Sequence, residues 1–295
     1  MEPIERALLS LDGLSVGDAL GERFFGFTSD ILIKIQERKL PKEKIWRYTD
    51  DTEMSLSLVW NLWRYGEINS DIVVNGFVER FDERRGYGGG ARRLLASLRQ
   101  GASWRIETPK MFGGEGSYGN GAAMRVAPVG AFFADDLDAV KENAKKSALP
   151  THTHIEAING AIAVAIAAAI AWNNRNTRIT SEDFMEQILP FLSDSLTKDG
   201  IMKAIDLPKD TTIRRAAYIL GSGSNVSAQD TVPFVLWSAS HHLNSYEEAF
   251  WATVEGLGDR DTTCAMVGGI VALSADIPKT WLERREPFSS NFQIP

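Results

Sequence analysis

Two short stretches, far apart in the chain, each set carboxylates beside threonines. The first is Tyr48-Thr49-Asp50-Asp51-Thr52-Glu53 and the second is Gly258-Asp259-Arg260-Asp261-Thr262-Thr263. Both stand where an apolar helical repeat begins. Each could therefore be a plain helix N-cap, with Thr52 or Glu53 as capping-box partner in the first. Two adjacent acids repel, however, and placing Asp50 beside Asp51 at one helix entrance makes more sense if a cation neutralises them. Asp259 and Asp261 are two apart, so in an extended approach they point to the same side. Thr49, Asp50, Asp51, Asp259, Asp261 and Thr262 together offer only hard oxygen donors, with no thiolate or imidazole. That chemistry suits Mg²⁺ or Mn²⁺ rather than Zn²⁺. Four carboxylates could neutralise two divalent ions. The inference requires that residues about two hundred positions apart meet in space.

A third stretch could take a phosphate. Between Phe112 and Tyr118 the chain reads Phe-Gly-Gly-Glu-Gly-Ser-Tyr, and Gly119-Asn120-Gly121 follows. Glycines let backbone N–H groups come close to a ligand, and a helix start beyond them favours an anion. No Lys-Ser/Thr pair follows and no strand precedes, so neither a Walker loop nor a dinucleotide fingerprint fits. Phe112 and Tyr118 could stack on a base; the alternative is a surface loop with incidental aromatics. Thr151-His152-Thr153-His154 precedes an alanine-rich stretch, and two histidines two apart could ligate a metal, but no third lies nearby. His241 and His242 read as surface or half-buried.

The elements that must position these residues are helices. Apolar residues recur at helical spacing in 2–20, 52–65, 72–81, 91–98, 136–147, 153–173, 181–195, 211–219, 228–242, 246–255 and 262–274. The segment 106–121 reads as a long glycine-rich loop, and Pro128 should shorten or kink a helix over 122–133. Alternating strand patterns are nearly absent. The expected fold is all-α, a single domain over 1–295, with a peripheral tail after about residue 282. The run Ala157–Trp172 is almost wholly apolar, yet it is short, carries Asn159 and is rich in Ala. It reads as a closely packed core helix rather than a membrane span.

Composition narrows the class. The 295 residues are 44% hydrophobic and 24% charged, which is ordinary globular composition. The net charge of −7 argues against non-specific nucleic-acid binding. Cys264 is the single cysteine; it excludes a disulfide framework and points to a reducing, cytoplasmic setting. No basic, apolar leader is present at the start of the sequence. The cluster Arg80, Arg84, Arg85, Arg92, Arg93, Arg99 and Arg105 reads as a solvated helix face, or else as a patch that gathers an anion.

The ordered set Gly17-Asp18-Ala19-Leu20-Gly21, YTDDT at 48–52, RGYGGG at 85–90, GSYGNGAAMRVAPVG at 116–130, TH near 151, NGA at 159–161 and GDRDTT at 258–263 resembles the ADP-ribosylglycohydrolase family. That family includes the dinitrogenase reductase-activating glycohydrolases and the ADP-ribosyl-acceptor hydrolases. The resemblance spans most of the chain. It implies one orthogonal all-α domain with a binuclear Mg²⁺ centre in a cleft, and ADP-ribose or an ADP-ribosylated protein as substrate. By position, Thr49, Asp50 and Asp51 match one group of metal ligands, and Asp259, Asp261 and Thr262 the other. Gly116, Ser117, Gly119 and Asn120 match the segment that holds diphosphate and ribose. Phe112 and Tyr118 match aromatics flanking the adenine in one branch, and His152 a ligand-contacting histidine there. The RGYG and GSYGNG segments are most similar to the branch that removes ADP-ribose from serine.

In that frame water attacks the anomeric carbon through an oxocarbenium-like transition state. Asp50 or Asp51 is the candidate to take its proton, and Glu22 is the weaker candidate. One departure stands out. Many members carry a glutamate a few residues past GDALG; here Phe25 stands at that place, and Glu22 is the nearest acid. This leaves a second expectation open, an ADP-ribose-binding or structural homologue without turnover. A third is a hydrolase of another ribosyl nucleotide compound.

Overall fold

The computed structural model describes residues 1–26, 28–289, 292 and 294. Among these the chain is 65% helical, with sixteen α-helices and no strand, so the architecture is all-α. One contiguous apolar core runs through it. At its centre lies the helix Ile155–Asn173, every residue of which from Gly160 to Trp172 is buried. This helix is long and apolar enough to cross a membrane, but 89% of its most apolar stretch is covered by the rest of the fold. Alanines make up much of it because neighbouring helices approach closely on every side. Gly130 is one such contact: a Cβ there would lie 1.9 Å from the Ala165 carbonyl oxygen.

Four other helices set the site. α1 spans Pro3–Gly21, α2 Asp50–Tyr65, α3 Trp104–Gly114 and α4 Arg260–Val271. The packing of α1 on α4 is the tightest join among them. Gly13, Gly17 and Gly21 recur every four residues, which stacks them on one face of α1. A Cβ at Gly13 would lie 2.4 Å from the Gly268 carbonyl oxygen, at Gly17 2.1 Å from that of Cys264, and at Gly21 2.5 Å from that of Arg260. Backbone meets backbone along this seam, and the Tyr246 hydroxyl closes one end by donating to the Gly13 carbonyl at 2.5 Å. Cys264 is buried in the seam as a packing residue. The consequence for function is positional. Asp18, next to Gly17, and Asp261, next to Arg260, are brought to the same end of two touching helices.

Several elements depart from the sequence-based expectation. Pro128 does not kink a helix; it sits in the first turn of Ala127–Phe132, where its missing N–H costs nothing. The stretch 181–195 is not one helix: Ser181–Glu186 ends, a single turn at Leu189–Phe191 contains Pro190, and Leu196–Ile205 restarts with Ser195 accepting from the Lys198 N–H. A helix at Thr28–Gln36 was not anticipated. Part of the expected 106–121 loop is helical, because α3 continues through Pro109 until Met111, Phe112 and Gly113 break it with non-helical dihedrals. The segment past Leu282 is also less peripheral than expected. Trp46 N donates to the Arg284 carbonyl at 2.6 Å, Arg285 reaches Asp12 at 3.0 Å, and Glu286 pairs with Arg85. Pro295 lies outside the described residues.

Candidate active site

The two acid–threonine motifs meet. α2 opens at Asp50, and the residue before it, Thr49, makes no side-chain cap of its own. The cap comes from another helix. The Asp18 carboxylate of α1 accepts from the backbone N–H groups of Thr49 at 3.0 Å and Thr52 at 3.1 Å, and from their hydroxyls at 2.8 and 2.5 Å. A fully buried acid thus supplies the N-terminal hydrogen bonds of α2 and interacts favourably with its dipole. Capping being done by Asp18, Asp50 and Asp51 are left free of it. The same holds at α4: Asp259 precedes the helix but its side chain caps nothing. The Asp259 carboxylate instead accepts from Asn120 Nδ2 at 2.8 Å, and Asp261 accepts from the Thr262 N–H at 2.9 Å.

Five carboxylates therefore share one region: Asp18, Asp50, Asp51, Asp259 and Asp261. Burial and mutual repulsion push all of them up from the ordinary carboxylate range. Asp18 is raised to about 6 by burial, against the hydrogen bonds from Thr52 and Thr49. Asp50 is raised to about 8, by burial and then by the charges of Asp18, Asp259 and Glu53. Asp51 and Asp261 are raised well above the ordinary range by burial and by their acidic neighbours, and Asp259 is raised mainly by burial. Asp51 Oδ1 is buried and has no hydrogen-bond partner. Among the described residues no Lys, Arg or His forms an ion pair with Asp18, Asp50, Asp51, Asp259 or Asp261. No three His, Cys, Asp or Glu side chains there form a ready-made coordination group either. The donors are instead spread around an opening. Uncompensated buried acids and an orphaned carboxylate oxygen are what a hard divalent cation would relieve, so the residues fit such an ion.

On one side the carboxylates open into a cavity of about 380 Å³. Asp50, Asp259, Asp261 and Thr262 are part of its lining. Phe112, Ser117, Tyr118, Gly119, Asn120 and His152 line it as well. The glycine segment is stitched to a neighbouring strand-like stretch, with Asn120 N donating to the Val226 carbonyl at 3.2 Å and Ala228 N to that of Tyr118 at 3.0 Å. Ser117 Oγ accepts from the Gly119 N–H at 3.2 Å. Gly116 needs to be glycine: its φ is 77°, and a Cβ would lie 2.1 Å from Thr153 Oγ1. At the cavity mouth the Phe112 and Tyr118 rings stand 6.0 Å apart, tilted at 37°. Phe112 holds a left-handed φ of 51° and is half exposed.

On the other side lies a second cavity of about 420 Å³, lined by Glu22, Arg23, Tyr48, Thr49, Asp82, Arg84 and Asp261 among others. Asp261 and Gly86 face both cavities. Glu22 sits in the turn that follows α1; burial raises its carboxyl, opposed by Arg23 and reinforced by Asp259. Phe25 lines neither cavity. It is turned outward, with the Arg260 guanidinium 5.0 Å from its ring centroid. Asp51 is buried behind Asp50 and faces neither opening.

Two features went unremarked as site residues in the sequence: Asp18 and Arg125. Both lie in segments that carry the family resemblance, Asp18 in GDALG at 17–21 and Arg125 in GSYGNGAAMRVAPVG at 116–130, but neither was given a role there.

Fold and site together define an all-α domain with a buried acidic cluster beside a cavity lined by glycines and aromatics. The family model for ADP-ribosylglycohydrolase matches residues 1–291, and the chain belongs to that family. By that membership it is a glycosidase. It is 27% identical to the ADP-ribosylhydrolase ARH3 of Gallus gallus, over 94% of this chain and 88% of that one. It is 24% identical to the ADP-ribosylarginine hydrolase Tri1 of Pseudomonas putida, over 96% and 75%. A solved structure titled ADP-ribosylglycohydrolase-related protein complex superposes with a TM-score of 0.65 at 23% identity, covering 97% of this chain and 93% of that one, which shows the shared fold.

Proposed function

We propose that this protein hydrolyses the glycosidic bond joining ADP-ribose to a protein side chain, with two Mg²⁺ or Mn²⁺ ions held by Thr49, Asp50, Asp51, Asp259, Asp261 and Thr262. The observation that carries the reading is one cavity lined both by acids of the two motifs and by a glycine segment with two aromatics. When bound, the cations supply positive charge that draws in the ribose hydroxyls and lowers the pKa of water.

The chain's own residues do the rest. Phe112 and Tyr118 receive the adenine. Gly116, Ser117, Gly119 and Asn120 offer the diphosphate and ribose close backbone approach. This leaves the anomeric carbon beside the acids. Asp50, the member of the first acid pair that faces the cavity, accepts the proton of the attacking water. Asp51 holds the neighbouring position from behind. The acceptor then lies toward the second cavity, where Glu22 is the acid within reach of the departing group. A buried, raised carboxyl is suited to give a proton there. The likeness to ADP-ribosylhydrolase ARH3 proteins supports ADP-ribosyl hydrolysis as the reaction; the serine linkage is the one the RGYG and GSYGNG motifs favour. A reducing, cytoplasmic setting accords with the single buried Cys264.

The test is calorimetric titration of ADP-ribose with Mg²⁺ present and after chelation, followed by hydrolysis of peptides carrying ADP-ribose on Ser or on Arg. Metal-dependent binding with release from the Ser peptide is expected. Binding without any turnover would instead support the homologue that has lost catalysis, for which the outward Phe25 is the observation in favour. No binding in either condition would overturn the assignment.

A further inference from the structure

Arg125 is the largest charge buried in the wall of the ADP-ribose cavity, and among the described residues no carboxylate pairs with it. Its guanidinium donates to neutral oxygens only: Gly121 O at 2.9 Å, Ser147 O at 2.9 Å and Thr151 Oγ1 at 2.8 Å. Its Nη1 also lies 3.5 Å from Met54 Sδ, its Nε has no partner, and it lies 4.6 Å from the Phe77 ring centroid. The charge of Asp50 reaches it without a hydrogen bond, and a buried cation held directly by neutral oxygens alone is costly, so its contacts call for a reason.

The contact with Thr151 supplies one. Thr151 Oγ1 accepts from Arg125, so its single proton must go elsewhere. Two acceptors are near: His152 Nδ1 at 2.7 Å and the Ala148 carbonyl at 3.4 Å. A separation of 2.7 Å is the usual length for a hydroxyl donor and short for an N–H donor, whereas 3.4 Å is too long for a good hydroxyl bond. The neighbouring guanidinium also polarises the hydroxyl toward donation. The Thr151 hydroxyl therefore donates to Nδ1, and the ring proton of neutral His152 resides on Nε2. Burial and the Arg125 charge lower the imidazole to about 3, so it stays neutral. Nε2 faces the glycine segment: Cβ atoms built on Gly119 and Gly121 would each lie 3.3 Å from it. It makes no hydrogen bond among the described residues and lines the cavity.

We propose that Arg125, acting through the Thr151 hydroxyl, is a positioning residue that holds His152 in its Nε2–H form and presents an uncharged donor to an oxygen of the bound ADP-ribose. This rests on the ADP-ribose reading of the cavity. The relay explains why a cation is buried where no acid hydrogen-bonds to it. It also explains the two glycines opposite the ring, which leave the donor uncovered.

The experiment is ¹⁵N NMR of the histidine rings in the full chain, with His152→Asn identifying the signal. Wild type is expected to show His152 as a single Nε2–H tautomer, and ADP-ribose with Mg²⁺ should shift that signal. Thr151→Val, which removes the hydroxyl at similar size, should give mixed tautomers and weaken ADP-ribose binding about tenfold, raising KM more than it lowers kcat. Thr151→Ser should restore both. Arg125→Met should lose the single tautomer as well. A wild-type ring protonated at Nδ1 overturns the relay, as does Thr151→Val with an unchanged tautomer and affinity. A single tautomer retained in Arg125→Met removes Arg125 from it. Should these variants fail to fold, the wild-type and Thr151→Ser spectra still decide. If wild type shows the Nε2–H form but binds no ADP-ribose, the substrate reading fails while the relay stands.

Discussion

Gly17→Ala is the sharpest probe of how the site is assembled. A Cβ at this position would lie 2.1 Å from the Cys264 carbonyl oxygen and 2.7 Å from its carbon, where ordinary contact begins at 3.4 Å. The obstacle is backbone, so no rotamer change relieves it. α1 and α4 must separate by about 1.3 Å locally, the shortfall from contact. Overpacking of this kind costs about 3 kcal/mol. For a chain of 295 residues that corresponds to a melting point lower by about 5 °C. The same separation carries Asp18 and Asp261 apart, and a displacement of about 1 Å in a site can reduce turnover about 100-fold. Thermal melts, with calorimetry of Mg²⁺-dependent ADP-ribose binding, measure both effects. Gly88→Ala is the stability control, since nothing lies within 4 Å of a Cβ there; it should stay within about 0.5 kcal/mol of wild type. Gly17→Ala with an unchanged melting point and unchanged binding would refute the claim that this seam holds the carboxylates together.

Three further outcomes are expected. In chelator, stability should fall as pH rises from 6.5 through 8: Asp50 is raised to about 8 in the fold, so the native state holds a proton that the unfolded chain has already released, and the loss is at least about 1.4 kcal/mol per pH unit, with the raised Asp51 and Asp261 adding to it. Below 6.5 neutral His152 opposes this trend, because its folded value is about 3; Mg²⁺ should flatten the upper slope, and melts at pH 6.5 and 8.5 with and without it would show this. Phe112→Ala should weaken ADP-ribose binding by about 1–3 kcal/mol, the worth of one stacked base, while leaving the melting point nearly unchanged because the ring is half exposed. Phe25→Glu should not raise turnover of an ADP-ribosylated peptide, because this side chain lies against Arg260 outside both cavities; a several-fold gain would show that residue 25 turns inward.

The chemistry-bearing residues were legible because their types announce it. Adjacent acids with threonines, glycines between aromatics and a histidine before a buried helix all have local reasons to stand out, and the structure gathers most of them around one opening, with Thr49 on the second cavity and Asp51 on neither. What was not legible depends on partners far along the chain. Asp18 reads as a polar residue of an amphipathic helix, and only its contact with Thr49 and Thr52 shows that it caps α2. Thr49 or Asp50 looked able to serve as that cap, since nothing local says the cap will come from a different helix. Arg125 follows a glycine-rich segment and has no sequence neighbour that betrays its burial. Helix ends failed for a similar reason. The glycines of 106–121 suggested a loop, yet α3 runs through Pro109 before breaking at Met111.

The glycine seam also limits how this protein can be engineered. Replacing helical glycines with alanine is a standard route to greater thermostability, because it restricts the unfolded chain. Along α1 that route is closed at Gly13, Gly17 and Gly21, where the added methyl meets backbone rather than space. Methods that score helix propensity would favour these changes and force α1 and α4 apart with each one. Stabilisation has to be sought elsewhere, at exposed positions on helices that do not touch α1 or α4.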